Sequence, residues 1–162
     1  MINKFDYYLK NGKVRRKTPD PIEAKSLFIK SKERLEYIKK EINETTAKFV
    51  LEDTYDTIRE STQSLMSLSG FKPYSHEATI SFLKELYKDN FSEEEIIKFD
   101  RFRELRNNSV YKAIEISVSD AESCLCFATM FINKIKNLID KLENPTKEET
   151  KRWFFLKINK LQ

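Results

Sequence analysis

Apolar residues recur every three or four positions along most of this chain, the spacing that lines up side chains on one stripe of an α-helix. The first stripe is Ala24, Leu27, Phe28, Ser31, Leu35, Ile38 and Ile42. It opens behind Asp20-Pro21-Ile22-Glu23, where an aspartate can cap free amides and proline suits the first helical position. Together these predict a helix from Pro21 to about Ile42. Asn43 and the threonines after it supply a turn, and a longer stripe follows, Ala47, Val50, Leu51, Thr54, Ile58, Ser61, Leu65 and Leu68, ending at Gly70. So short a connection makes the two helices antiparallel. The small Thr54 and Ser61 leave room for a neighbouring backbone.

Gly70-Phe71-Lys72-Pro73-Tyr74 breaks the pattern, and Ser75 then caps a helix bearing Ala78, Phe82, Leu83 and Leu86 that stops near Asn90. Ser92-Glu93-Glu94-Glu95 is a capping box for the next helix, with Ile96, Phe99, Phe102 and Leu105 apolar. Residues 112 to 118 alternate and predict a short extended stretch. A second capping box, Ser119-Asp120-Ala121-Glu122, opens the cleanest stripe, from Ala121 through Cys124, Ala128, Phe131, Ile135 and Leu138 to Leu142. After Asn144-Pro145 a further cap precedes an aromatic tail of Trp153, Phe154, Leu156, Ile158 and Leu161. Near the start, Asn11-Gly12 between aromatic and basic runs favours a two-residue hairpin turn. The expected organisation is all-α: a basic arm or hairpin over 1–18, an antiparallel bundle of five to six helices over 19–143, and a helix or tail over 144–162 packed on the same domain.

Composition narrows the picture. A length of 162 residues suits one core, and two glycines with four prolines leave little for a tight-turned sheet. The net charge of +4 is uneven: residues 1–18 hold six Lys or Arg against Asp6, or +5, so the remainder carries 4 − 5 = −1. Lys13, Arg15, Arg16 and Lys17 in that arm are candidate contacts for a nucleic acid, since cations on phosphate supply most nonspecific affinity; a solvated arm is the alternative. Cys124 and Cys126, two apart on a helix, point about 200° away from each other, which suits neither a disulfide nor a shared metal. No signal segment and no apolar run of membrane-spanning length is present, which predicts a soluble cytoplasmic protein.

The chemistry gathers in Arg103-Glu104-Leu105-Arg106-Asn107-Asn108-Ser109-Val110-Tyr111, where one helix ends before the next begins. An arginine, an amide and a phenol at this spacing can hold a phosphate, bond a sugar or base, and stack. Equally, Arg103 and Arg106 can pair with Asp100 or Glu104 on their own helix. His76, the single histidine, lies just after the capping Ser75; a catalytic use is weighed against a place in the cap or against Tyr74.

Several segments resemble the HEPN family of small α-helical domains. They are Asp20-Pro21-Ile22-Glu23-Ala24-Lys25-Ser26, Phe49-Val50-Leu51-Glu52-Asp53-Thr54-Tyr55-Asp56, Gly70 through Ala78, and Phe99 through Tyr111, within a similarity spanning roughly residues 5 to 142. Catalytic members are metal-independent ribonucleases whose motif is an arginine followed after four to six residues by histidine. Here Arg106 and Asn107 match the first part, and Tyr111 stands where the histidine would. A phenol, with a reference pKa of about 10, moves protons poorly near neutral pH. The resemblance implies a homodimer with the two arginine motifs facing each other, and a noncatalytic RNA-, nucleotide- or partner-binding module with Arg103, Arg106, Asn107 and Tyr111 at its site. Its alternatives are a metal-independent endoribonuclease of toxin–antitoxin type, with Arg106 and Tyr111 as catalytic candidates and a nucleotidyltransferase-type protein partner, or a purely structural interaction domain. No cofactor, metal or membrane is implied.

Overall fold

The computed structural model describes residues 2–38 and 42–144. In chain order the elements are α1 (Phe5–Lys10), β1 (Val14–Arg16), α2 (Pro21–Ile38), α3 (Ala47–Leu68), β2 (Phe71–Pro73), α4 (His76–Leu86), α5 (Glu93–Lys112) and α6 (Val118–Glu143). The fold is an antiparallel helical bundle with one two-stranded ribbon. The aromatic tail expected beyond Asn144, and the last residues expected in the first long helix, lie outside the described residues.

Helix α3 is the hub: it packs most heavily on α2 and α6, and also touches α4, α5 and β2. Its apolar stripe is sealed, with Leu51, Tyr55, Ile58, Leu65 and Met66 all at 0% exposure, which is the burial its spacing predicts. Small polar side chains in the same helix permit the close approach of α2. Ser64 Oγ donates to the Ala24 carbonyl at 2.7 Å, and Thr62 and Ser61 bond back to the Ile58 carbonyl, so none of these three hydroxyls is buried without a partner. Glu60, though 3% exposed, is held by Lys30 at 2.8 Å and by Arg34 at 3.2 Å across the α2–α3 seam. A carboxylate so far from water stays charged only because cations surround it.

Toward α5 and α6 the core is aromatic. Phe99 meets Phe131 edge-on at 5.4 Å, Phe91 and Phe127 flank Phe131, and Tyr55 touches Phe99 at 6.0 Å. Such offset and edge contacts suit ring quadrupoles and fix how α3, α5 and α6 meet. The capping box at Ser92 forms as expected, with Glu95 N donating to Ser92 Oγ and Ser92 N donating to Glu95 Oε2.

Three local expectations differ from the structure. Around Asn11-Gly12 there is no hairpin: residues 5–10 form α1, Asn11 closes it, and Gly12 turns the chain at φ 67° into β1. The partner of β1 is β2, paired antiparallel with Val14 opposite Pro73 and Arg16 opposite Phe71. Phe5 and Tyr8 on α1 bury against the body, which rewards a helical turn over a free ribbon. The cap of α6 is Ser117, which accepts from Asp120 N, one pair of residues before the expected Ser119. Finally, residues 113–117 make no strand; α5 continues to Lys112 and ends on Ala113 in the left-handed region at φ 53°.

Candidate functional site

The polar segment of α5 occupies the helix face that looks across α3 toward the start of α4. Arg106 Nη1 donates to Asn107 Oδ1 and to Tyr111 Oη, both at 3.4 Å, and its guanidinium lies 5.6 Å from the centroid of the Tyr111 ring. The structure therefore brings Arg106, Asn107 and Tyr111 together. These bonds are long and neutral, and among the described residues no carboxylate pairs with Arg106. Its Nε is buried with no hydrogen-bond partner. Tyr111, 74% exposed, covers one side of the guanidinium from the solvent edge.

Arg103, one turn earlier, is different. Its side chain is 11% exposed and satisfied by carboxylates: Nε donates to Asp100 at 2.7 Å, Nη1 to Glu77 at 3.4 Å and Nη2 to Glu104 at 3.5 Å. Burial works against its charge, but the bonds from Asp100 and the nearby carboxylates outweigh it and hold its pKa above the ordinary value. Pairing on the helix, which the spacing offered to both arginines, is realised by Arg103 alone. Through Glu77 this arginine ties α5 to the first turn of α4.

That contact matters because Glu77 follows His76. Ser75 caps α4 by accepting from Ala78 N, and the cap fixes His76 at the first helical position with its ring turned toward α3. There His76 Nδ1 lies 3.0 Å from Tyr55 Oη, with the two rings 5.6 Å apart. Neither the cap nor Tyr74 absorbs the imidazole. Burial raises the pKa of the Tyr55 hydroxyl well beyond its ordinary range, so this group stays protonated at any working pH. Its proton needs an acceptor, and Nδ1 is the one within reach; the imidazole then carries its own hydrogen on Nε2. Burial, followed by the positive fields of Arg59 and Arg106, lowers the pKa of His76 and keeps it neutral near pH 7.

Arg59 completes the cluster from α3. It bonds Asp56 at 3.0 Å and Gln63 at 3.1 Å, and the field it projects on His76 leaves the site electropositive. On the far side of Arg106, Ser109 Oγ donates to Glu52 Oε1 at 2.7 Å and docks the end of α5 on α3. Sequence reasoning missed Tyr55, Asp56 and Arg59. Their only signal was an acid and a base three apart on a helix whose apolar stripe is crowded with small polar residues.

In the N-terminal segment, Lys13, Arg15 and Arg16 are exposed, whereas Lys17 is drawn into an ion pair with Glu23 and sits 3.8 Å from Asp20. Arg15 stacks over Tyr74 at 5.2 Å and Arg16 over Phe71 at 5.5 Å. Cys124 is buried in α6 and Cys126 is exposed, both free. Among the described residues no group of histidine, cysteine or acidic side chains is placed to hold a metal ion, and no helix is long and apolar enough to cross a membrane.

Comparison with known proteins bears on this geometry at the level of the family. No curated protein matches the chain. The family model for the HEPN domain matches residues 8–138, which takes in every element from the end of α1 to most of α6 and both sides of the polar cluster. The chain belongs to the HEPN domain family.

Proposed function

We propose that this protein is a noncatalytic HEPN module that binds a phosphate group of RNA or of a nucleotide in the crevice between α5, α3 and the start of α4, working as a homodimer with the two crevices facing. One observation carries the reading: Arg106 is half-buried, has a buried Nε without a partner, and meets no carboxylate among the described residues. A guanidinium left so poorly satisfied gains two charge-assisted bonds when a phosphate arrives. Asn107 is placed to bond a sugar or base, Tyr111 to stack, and the Nε2 hydrogen of His76 to donate. The field of Arg59 adds to the attraction.

The ribonuclease reading draws its support from His76, an imidazole delivered by a different helix from the one that carries the arginine motif. Attack by a 2′-hydroxyl needs a group that accepts its proton. With Tyr55 donating to Nδ1 and hydrogen on Nε2, this imidazole has no free lone pair to accept one. Binding is therefore the better-supported function. The nucleotidyltransferase-type partner belongs with the ribonuclease reading.

Mixed RNA incubated with the purified protein in EDTA separates these readings. The expected result is intact RNA, with binding that weakens steeply as salt rises and is at least about tenfold weaker in Arg106→Ala at low salt. Cleavage abolished by Arg106→Ala would establish the enzyme instead. No affinity at low salt would leave a structural interaction domain.

A further inference from the structure

The ribbon beside the crevice has a face that the arginine site does not use. Its register sets Arg15 opposite Lys72, and Tyr74 N donates to the Lys13 carbonyl at 2.8 Å, which extends the pairing by one step and sets Lys13 opposite Tyr74. Residues opposite each other, and those two apart along a strand, share a face. Lys13, Arg15, Lys72 and Tyr74 therefore stand on the outer side, all exposed, while Val14 on the other side is 2% exposed.

Three cations crowd this face with no ion pair to any described carboxylate. Lys72 helps hold Glu23 ionised through its field, a lesser contribution than the direct bonds from Lys17 and Ser67, but makes no contact with it. Like charges placed directly opposite on a strand pair repel, and nothing on this face offsets Arg15 against Lys72. The arrangement is one that an anion relieves. It is also more than a charge patch: Arg15 lies stacked over the Tyr74 ring, and Tyr74 is 52% exposed. Guanidinium planes and aromatic rings both carry unstacked bases, so a base can extend this stack while its phosphates meet Lys13 and Lys72. Two residues after Tyr74 comes His76, so the face leads into the crevice within about 7 Å of chain.

Resting on the phosphate-binding reading above, we infer that the outer face of the β1–β2 ribbon is a second subsite that holds the adjoining stretch of a single-stranded RNA. Cations interleaved with a stacked aromatic are the chemistry of single strands, whose bases are free to stack. Of the basic residues in the N-terminal segment, Lys13 and Arg15 belong to this subsite. Lys17 does not, because Glu23 and Asp20 already neutralise it.

The test compares a single-stranded oligoribonucleotide of about 12 nucleotides with a mononucleotide, each titrated into wild type, the Arg15→Gln/Lys72→Gln double variant and Arg106→Ala over a range of salt. Both ribbon positions are exposed and their like charges repel, so the double variant should melt no lower than wild type. It should bind the oligomer about tenfold more weakly, with the slope of log K against log salt smaller by about 1.4, two phosphate contacts at about 0.7 each. Its affinity for the mononucleotide should equal that of wild type, whereas Arg106→Ala should lose both ligands. Unchanged oligomer affinity and slope in the double variant, with Arg106 still required, would overturn the ribbon subsite and leave the arginine site standing. Equal loss of mononucleotide and oligomer in the double variant would also overturn it, as would polyglutamate bound by wild type as tightly as the oligomer. A wild-type protein that binds neither nucleic acid ligand overturns both assignments together.

Discussion

Replacing Tyr55 by phenylalanine deletes one hydroxyl and leaves the ring contacts with Phe99 and His76 in place, so the change isolates the bond to His76 Nδ1. A neutral hydrogen bond contributes about 1 kcal/mol net, and an acceptor left unpaired in a buried site costs up to about 3 kcal/mol more. His76 is only half-buried, so water can reach part of its ring. The expected loss is therefore at the low end, about 1 to 2 kcal/mol, or roughly 2 to 6 °C in melting temperature for a domain of this size. The same variant tests the proton assignment. Because His76 is the only histidine, its two ring nitrogens can be read by nitrogen-15 NMR without overlap. Wild type should show the Nε2–H form at pH 7.5, and Tyr55→Phe a mixture of both forms.

The pH dependence adds a second constraint on the same residue. Burial and the fields of Arg59 and Arg106 lower the His76 pKa in the fold, whereas the unfolded chain takes up its proton near the ordinary value of about 6.5. Below that pH the unfolded state binds more protons, so stability falls as pH drops from about 7 toward 5. His76→Gln should remove this slope. Tyr55→Phe should retain it, since the hydroxyl is not among its causes. An Nδ1–H form in wild type, or a Tyr55→Phe protein as stable as wild type, would refute the reasoning and restore His76 as a candidate base.

Glu60→Gln should lower stability by about 2 to 3 kcal/mol in urea denaturation, because Lys30, Arg34 and Arg59 lose the carboxylate they surround; an unchanged midpoint would mean that the cluster contributes nothing. Gly70→Ala should cost at least about 2 kcal/mol, since Gly70 sits at φ 81° and a Cβ there would lie 2.8 Å from the Lys17 carbonyl oxygen; wild-type stability in this variant would refute the assigned turn. Ser92→Ala should remove the capping box at a cost of about 1 kcal/mol, visible as a lower melting temperature with unchanged helix content at 25 °C.

What could be read from the sequence follows from how local each signal is. The α2–α3 pair and the α5 cap rest on neighbours three or four residues apart, so spacing alone exposes them. The pairing of β1 with β2 joins segments separated by all of α2 and α3, and no local pattern carries it. Asn11-Gly12 truly marks a turn, but the same dipeptide ends a helix as readily as it turns a hairpin, and the burial of Phe5 and Tyr8 decides between them. At α6, Ser117 with Asp120 and Ser119 with Glu122 offer the same chemistry two residues apart; only the backbone path into the helix selects the first. The arginine motif was legible as a run of polar residues. Which arginine is satisfied was not, because Glu77, the partner that ties Arg103 to α4, lies on another helix. His76 likewise acquires its meaning from Tyr55, one helix away.

The account stands most directly on the state of one guanidinium. Titrating a nucleoside monophosphate into nitrogen-15-labelled protein at low salt, and following the Arg106 Nε–H resonance assigned by its loss in Arg106→Ala, should give a saturable shift, abolished in that variant and weakened as salt rises. An Arg106 resonance that stays in place while the ligand binds elsewhere, or that never moves at any concentration, would contradict the claim that this arginine is held open for phosphate.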